Sequence, residues 1–193
     1  MSSMLRTAIC TAVLAFSAAA CNAQAAALAD PVDVAFTFNA QRTLRVSTGQ
    51  NFWLEGGSAE LGIGLGHGFG IAFDYTGTRT SSIGTSGVPL VLGTATVGPR
   101  YRMYAARRWS PYVQALIGEA TGMDSTFATP TGAVSNASSF ALQANGGLDY
   151  RSSQHIAFRV LDVGYLHAGL GNGGSNTQNL LRLGAGVVFR FKP

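Results

Sequence analysis

Cysteine is nearly absent. The chain has two, Cys10 and Cys21, both close to its start. If that stretch is removed as a leader, no disulfide, thiol chemistry or cysteine-held metal remains in the mature protein. Charge is also scarce: 11% of residues are Asp, Glu, Lys or Arg, where a soluble domain carries about 25%. No apolar run approaches the roughly 20 residues of a membrane-spanning helix. The basic residues are scattered: Arg42 and Arg45, Arg100 and Arg102, Arg107 and Arg108, then Arg151, Arg159, Arg182 and Arg190. They form no patch of the kind that tracks a phosphate backbone, so nucleic acid is not an expected partner. The Gly-rich stretches 62–66 and 169–174 lack the following helix that a phosphate cradle needs. No cofactor is expected.

The first 25 residues read as a signal peptide. Arg6 precedes the apolar run Ala8 to Phe16, small residues follow, and Ala23-Gln24-Ala25 fits an A-x-A cleavage site. A second reading stays open, in which Ala18-Ala19-Ala20-Cys21 is a lipoprotein site and Cys21 carries the lipid.

Beyond residue 30 the pattern has a period of two. Val32, Val34, Phe36 and Phe38 alternate with Asp33, Ala35, Thr37 and Asn39. Phe69, Ile71, Phe73 and Tyr75 alternate with Gly70, Ala72, Asp74 and Thr76. The same holds over 91–101, 140–150 and 181–191, while 51–63, 111–121 and 155–167 are strands whose facing the pattern leaves open. Glu119 and Asp162 fall on the parity of apolar neighbours. Either a β-bulge or a position at the membrane edge explains each. Transmembrane strands need about 9–11 residues, and eight such segments fit.

The connections alternate in length. Long ones span 40–50, 77–89, 122–138 and 168–176; short ones span 64–67, 102–110 and 151–154. Short periplasmic turns and longer external loops are the plan of an outer-membrane barrel. The large residues of each strand suit lipid, and the small alternates suit the crowded lumen of an eight-stranded barrel. Backbone groups in lipid must pair internally, so the sheet must close. The fold class expected is all-β, an eight-stranded antiparallel up-and-down transmembrane barrel over 30–191. Tyr75, Tyr101, Tyr150, Phe189 and Phe191 fall at strand ends, where aromatic girdles lie.

Gly186-Val187-Val188-Phe189-Arg190-Phe191 resembles the C-terminal assembly signal of outer-membrane barrels. In this chain Gly184 stands where a polar residue is usual, and Lys192-Pro193 follow the last Phe. Thr96 to Tyr101 and Gly146 to Tyr150 resemble descending strands of the same proteins. Over 30–191 the chain is similar to the small OmpA/OmpX-like family of eight-stranded outer-membrane barrels. The resemblance implies delivery to the barrel-assembly machinery, with Gly186, Phe189 and Phe191 carrying the signal. It also implies residence among outer-membrane lipids as a monomer. With the last strand reaching 191, no peptidoglycan-binding domain is expected.

Strand direction then places the inward charges by height. Asp33 and Arg190 meet where the first and last strands close, and an ion pair is expected there. Asp149 and Arg159 form a second pair, with Arg100 at similar height. Asp74 and Arg182 lie higher, and Glu60 joins if 51–63 faces as its pattern indicates. Unpaired buried charge is costly, so the set reads as a plug rather than a gate.

Three functions compete. The first is a structural or surface-interaction barrel without an open pore, whose external loops meet a partner that they do not identify. The second is a soluble lipocalin-like barrel, which requires Phe36, Phe73 and Leu183 to point inward. The third is a lipid-modifying enzyme, which needs a Ser–His pair at the external boundary. His67 and His155 fall at periplasmic turns, and only His167 reaches the external end, with Ser175 in the loop that follows.

Overall fold

The computed structural model describes residues 32–44, 51–84, 86–103, 107–129, 132–170 and 177–191. The segment read as a signal peptide, Cys21 and Ser175 lie outside them, as do parts of each long connection. No helix among the described residues is long and apolar enough to cross a membrane.

Eight strands close a barrel: β1 (Val32–Thr43), β2 (Trp53–Gly66), β3 (Phe69–Thr80), β4 (Leu90–Arg102), β5 (Trp109–Met123), β8 (Ala137–Arg151), β9 (Ile156–Ala168) and β10 (Gln178–Phe191). Each pairs antiparallel with its sequence neighbour, and β1 closes on β10 from Val32↔Phe191 to Thr43↔Leu180. Two short strands, β6 (Phe127–Thr129) and β7 (Gly132–Val134), make a separate hairpin in the connection from β5 to β8. The β2–β3 turn is tight. Gly66, His67 and Gly68 all have positive φ (112°, 56° and 84°), and Gly68 accepts a 2.7 Å bond from Arg102 N.

The expected external connections were too long. Pairing runs on to Thr43, Thr80 and Met123, past the end of the apolar pattern. Arg42 and Arg79 continue the outward parity while Gln41, Thr43 and Thr78 fill the inward one. A polar outward residue does not end a strand that has risen above the lipid; only the lipid contact ends there.

Depth follows from strand geometry. Val32 to Arg42, Leu65 to Glu55, Phe69 to Arg79 and Trp109 to Glu119 are each ten residues apart on the outward face. At about 3.3 Å per residue and a tilt of about 40°, ten residues rise roughly 25 Å, the height of the apolar band. The lower border carries Phe69 against Tyr101 and Trp109 against Tyr150, both at 4.8 Å. The upper border carries Arg42 over the Trp53 ring at 5.7 Å, with Glu55, Arg79 and Glu119 on the same level. Glu119 is thus a membrane-edge residue. Asp162 has the other explanation. Val160 and Leu161 both point outward, and the register shifts there against both neighbouring strands. This one-residue bulge returns Asp162 to the lumen.

The lipocalin-like arrangement does not occur. Phe36, Phe73 and Leu183 are 55%, 45% and 41% exposed on the outer wall.

Candidate functional site

The lumen is filled, and it has two layers. The periplasmic layer is ionic. Five carboxylates (Asp33, Glu60, Asp74, Asp149, Asp162) face five guanidiniums (Arg100, Arg102, Arg159, Arg182, Arg190), and every member takes part in an ion pair. The set is formally neutral, which is what a space closed to water requires.

Glu60 stands at its centre, 2% exposed. Its Oε1 accepts from Arg159 Nη2 at 2.9 Å and pairs with Arg100 Nη2; its Oε2 accepts from Gln114 Nε2 at 2.7 Å. Gly62, the next inward position below it on β2, leaves the space for this. A Cβ there would collide with Asp33 Oδ1 and Arg100 Nη1.

The expected Asp33–Arg190 ion pair does not form. The two residues are register partners, but Asp33 reaches across the lumen to Arg100 Nη1 at 2.9 Å and Arg102 Nη2 at 2.8 Å. Arg190 Nη2 lies instead 3.6 Å from Asp149 Oδ2. Two arginines from β4 offer Asp33 charge-assisted bonds of good length, and one carboxylate cannot point both ways. Asp149 and Arg159 are brought together at 3.2 Å. Asp74 and Arg182 meet higher up, also at 3.2 Å. There Arg182 also bonds Asn39, Thr76 and Ser58 at 3.1, 3.0 and 2.9 Å and pairs with Asp162 at 2.8 Å.

Two members of this layer were not anticipated. Arg102 falls in a short connection by pattern, yet β4 extends to include it, and it bridges Asp33 and Asp149. Tyr112 is buried, donates to Asp162 Oδ1 at 2.8 Å and lies under Arg159 at 4.4 Å from its ring centre. Its parity on β5 also holds Gln114, which is the one signal that this face turns inward.

The external layer is apolar, contrary to the expectation of small lumen residues throughout. Leu54, Leu90, Leu92, Leu166 and Leu180 point inward, and Phe52, Phe127 and Leu170 close over them from the connections. Phe127, carried by the β6–β7 hairpin, rests on Gly122. Apolar packing spares this end of the lumen the desolvation cost of charge.

Of the proposed assembly residues, Phe189 and Phe191 face outward near the periplasmic end, and Phe189 meets Phe36 edge-on at 6.4 Å. Gly186 allows close strand contact: a Cβ would collide with the Phe36 carbonyl oxygen. His67 and His155 lie at the periplasmic turns. His167 is at the external end, its Nδ1 2.7 Å from Asn179 Oδ1, which also accepts from Tyr165 at 2.8 Å. The described residues hold no group of His, Cys, Asp and Glu arranged for a metal.

Solved structures share this architecture at low sequence identity. The attachment invasion locus protein Ail of Yersinia pestis is 15% identical, with 84% of this chain and 99% of that one covered and a TM-score of 0.57. Neisserial surface protein A is 17% identical, with 83% and 97% covered and a TM-score of 0.63. OprG of Pseudomonas aeruginosa is 10% identical, with 86% and 97% covered and a TM-score of 0.57. These likenesses are of fold alone. No curated protein matches the sequence. Residues 8–191 do match a family by sequence, and the closed barrel with its apolar wall agrees with that match: the chain belongs to the outer membrane protein beta-barrel domain family.

Proposed function

We propose that the protein serves the outer membrane as a closed, non-catalytic barrel, monomeric among its lipids, whose task is structural or lies in its external connections. The observation that carries this reading is the double filling of the lumen. Five neutralised ion pairs' worth of charge occupy one half and a leucine-rich layer the other, so neither ions nor solutes have a continuous path. His167 is held by Asn179, which gives it a structural part at the rim rather than that of a free base. Cleavage after Ala25 and recognition of Gly186, Phe189 and Phe191 by the assembly machinery complete the proposal. An extracellular partner would meet the residues above Thr43, Thr80, Met123 and Ala168.

Planar-bilayer recording of the purified barrel tests it. The expected result is no unitary conductance above the leak of protein-free membranes. A steady conductance that persists in the folded, heat-modifiable form would refute the closed lumen.

A further inference from the structure

The outer wall over β2, β3 and β4 has a feature that the barrel itself does not require. At the upper lipid border, Trp53, Glu55, Arg79, Pro89, Val91 and Asp124 line a pocket of about 820 Å³, within the range of small-molecule sites. Arg79 stands directly across from Glu55 in the register, yet no ion pair joins it to Glu55 or Asp124 among the described residues. The pocket therefore offers one cation and two carboxylates that are not spent on each other.

Below this row the wall is bare. Gly57, Gly77 and Gly93 are consecutive register partners across the three strands. A Cβ at Gly77 would meet nothing within 4 Å, and one at Gly93 nothing nearer than 3.8 Å. Packing within the barrel does not explain these glycines; a glycine in a strand also marks close approach of a ligand. Below them a groove of about 470 Å³ continues down the apolar band between Ala59, Leu61, Phe73, Ala95, Val97 and Ile117. Headgroup pocket, bare strip and apolar groove follow one another down the same three strands, β2, β3 and β4.

We propose that this face binds one lipid of the external leaflet, with its acyl chain in the groove and a headgroup bearing both a phosphate and a primary ammonium in the pocket. Arg79 takes the phosphate, Glu55 and Asp124 take the ammonium, and Trp53 covers the junction with the chain. A purely anionic headgroup would satisfy Arg79 and leave two carboxylates facing its phosphate. The proposal rests on the membrane orientation above, not on the absence of a pore.

The chain has two tryptophans, and Trp109 lies at the opposite border, so Trp109→Phe makes Trp53 the sole indole reporter. The full barrel, folded in non-ionic micelles, is titrated with short-chain phosphatidylethanolamine and separately with phosphatidylglycerol. Expected is a saturable shift of Trp53 emission, about tenfold tighter for phosphatidylethanolamine. Arg79→Gln and Gly77→Leu should each weaken it about tenfold while heat-modifiable migration is kept. Gly77→Leu is the sharper variant, because the open space above Gly77 makes it cheap for the fold. Equal response to both lipids, or unchanged binding in folded Gly77→Leu, overturns the proposal. So does phosphatidylglycerol binding equally tightly once calcium is supplied, since a bridging metal would then stand where the ammonium is placed. In each of these cases the folded migration stays intact, which separates loss of the site from loss of the barrel.

Discussion

Replacing Glu60 by Gln probes the ionic layer at the point where most of it converges. The change keeps shape and removes one charge. Glu60 neutralises Arg100 and Arg159, the latter 1% exposed. In the variant five guanidiniums face four carboxylates, and the new amide donor points at two cations. Removing one partner of a buried pair costs about 3–5 kcal/mol, because the other is left uncompensated. Arg159→Met alone should cost a similar amount, leaving Glu60 dependent on Arg100 and Asp149 on Arg102 and Arg190. The double variant Glu60→Gln/Arg159→Met restores neutrality at four and four. It should therefore be more stable than the sum of the single losses, with a coupling of about 1–3 kcal/mol. Urea unfolding in micelles, read by heat-modifiable migration, measures all four corners of the cycle. Strict additivity, or Glu60→Gln within about 1 kcal/mol of wild type, would show that the lumen admits enough water to screen its charges. The closed-plug account would then fail.

Leu92→Ala should cost about 2–5 kcal/mol in the same assay, the ordinary range for emptying a buried leucine site; a loss below about 1 kcal/mol would mean that the external layer is loosely packed. Deleting Val160 removes the bulge and leaves Arg159 and Asp162 both facing inward, so the barrel should still assemble. Deleting Leu142 from the regular part of β8 turns every later residue to the wrong face, and folded protein should be lost; equal yields of the two deletions would contradict the assigned register. Phe191→Ala should lower the amount of folded barrel in outer membranes of cells while refolding in micelles stays near wild type. Equal loss in both settings would make Phe191 a stability residue rather than part of an assembly signal.

The outward face was legible because Phe36, Phe73, Val97 and Leu183 repeat every second residue with small partners between them. The inward face was half legible. Asp33, Asp74, Asp149, Arg159 and Arg182 stand out against apolar neighbours, so their shared interior could be read, and with it the Asp149–Arg159 pair, but Asp33 was assigned the wrong partner. Pairing depends on how far a guanidinium reaches across the lumen, and Arg102 wins Asp33 from Arg190 by that reach. Leu54, Leu92 and Leu166 gave no signal, since an inward leucine and a lipid-facing leucine are the same letter. The bulge at Val160 and Leu161 was hidden for a related reason: two outward apolar residues in succession look like one uninterrupted strand. Strand ends at Thr43 and Thr80 were missed because hydrophobic alternation marks the lipid boundary, not the limit of hydrogen bonding.

The central claim is that the large alternate side chains face lipid around a filled lumen. Substituting Phe73 by Arg, and Phe36 by Arg in a second protein, tests it most directly through the amount of heat-modifiable barrel in isolated outer membranes. Arg at mid-depth on a lipid-facing wall costs roughly 2–4 kcal/mol and costs less towards the borders. Folded barrel should fall sharply for both, while Gly77→Arg, near the upper border, is tolerated. If Phe73→Arg and Phe36→Arg assemble as well as wild type and Gly77→Arg, these residues do not face lipid, and the account of the wall is wrong.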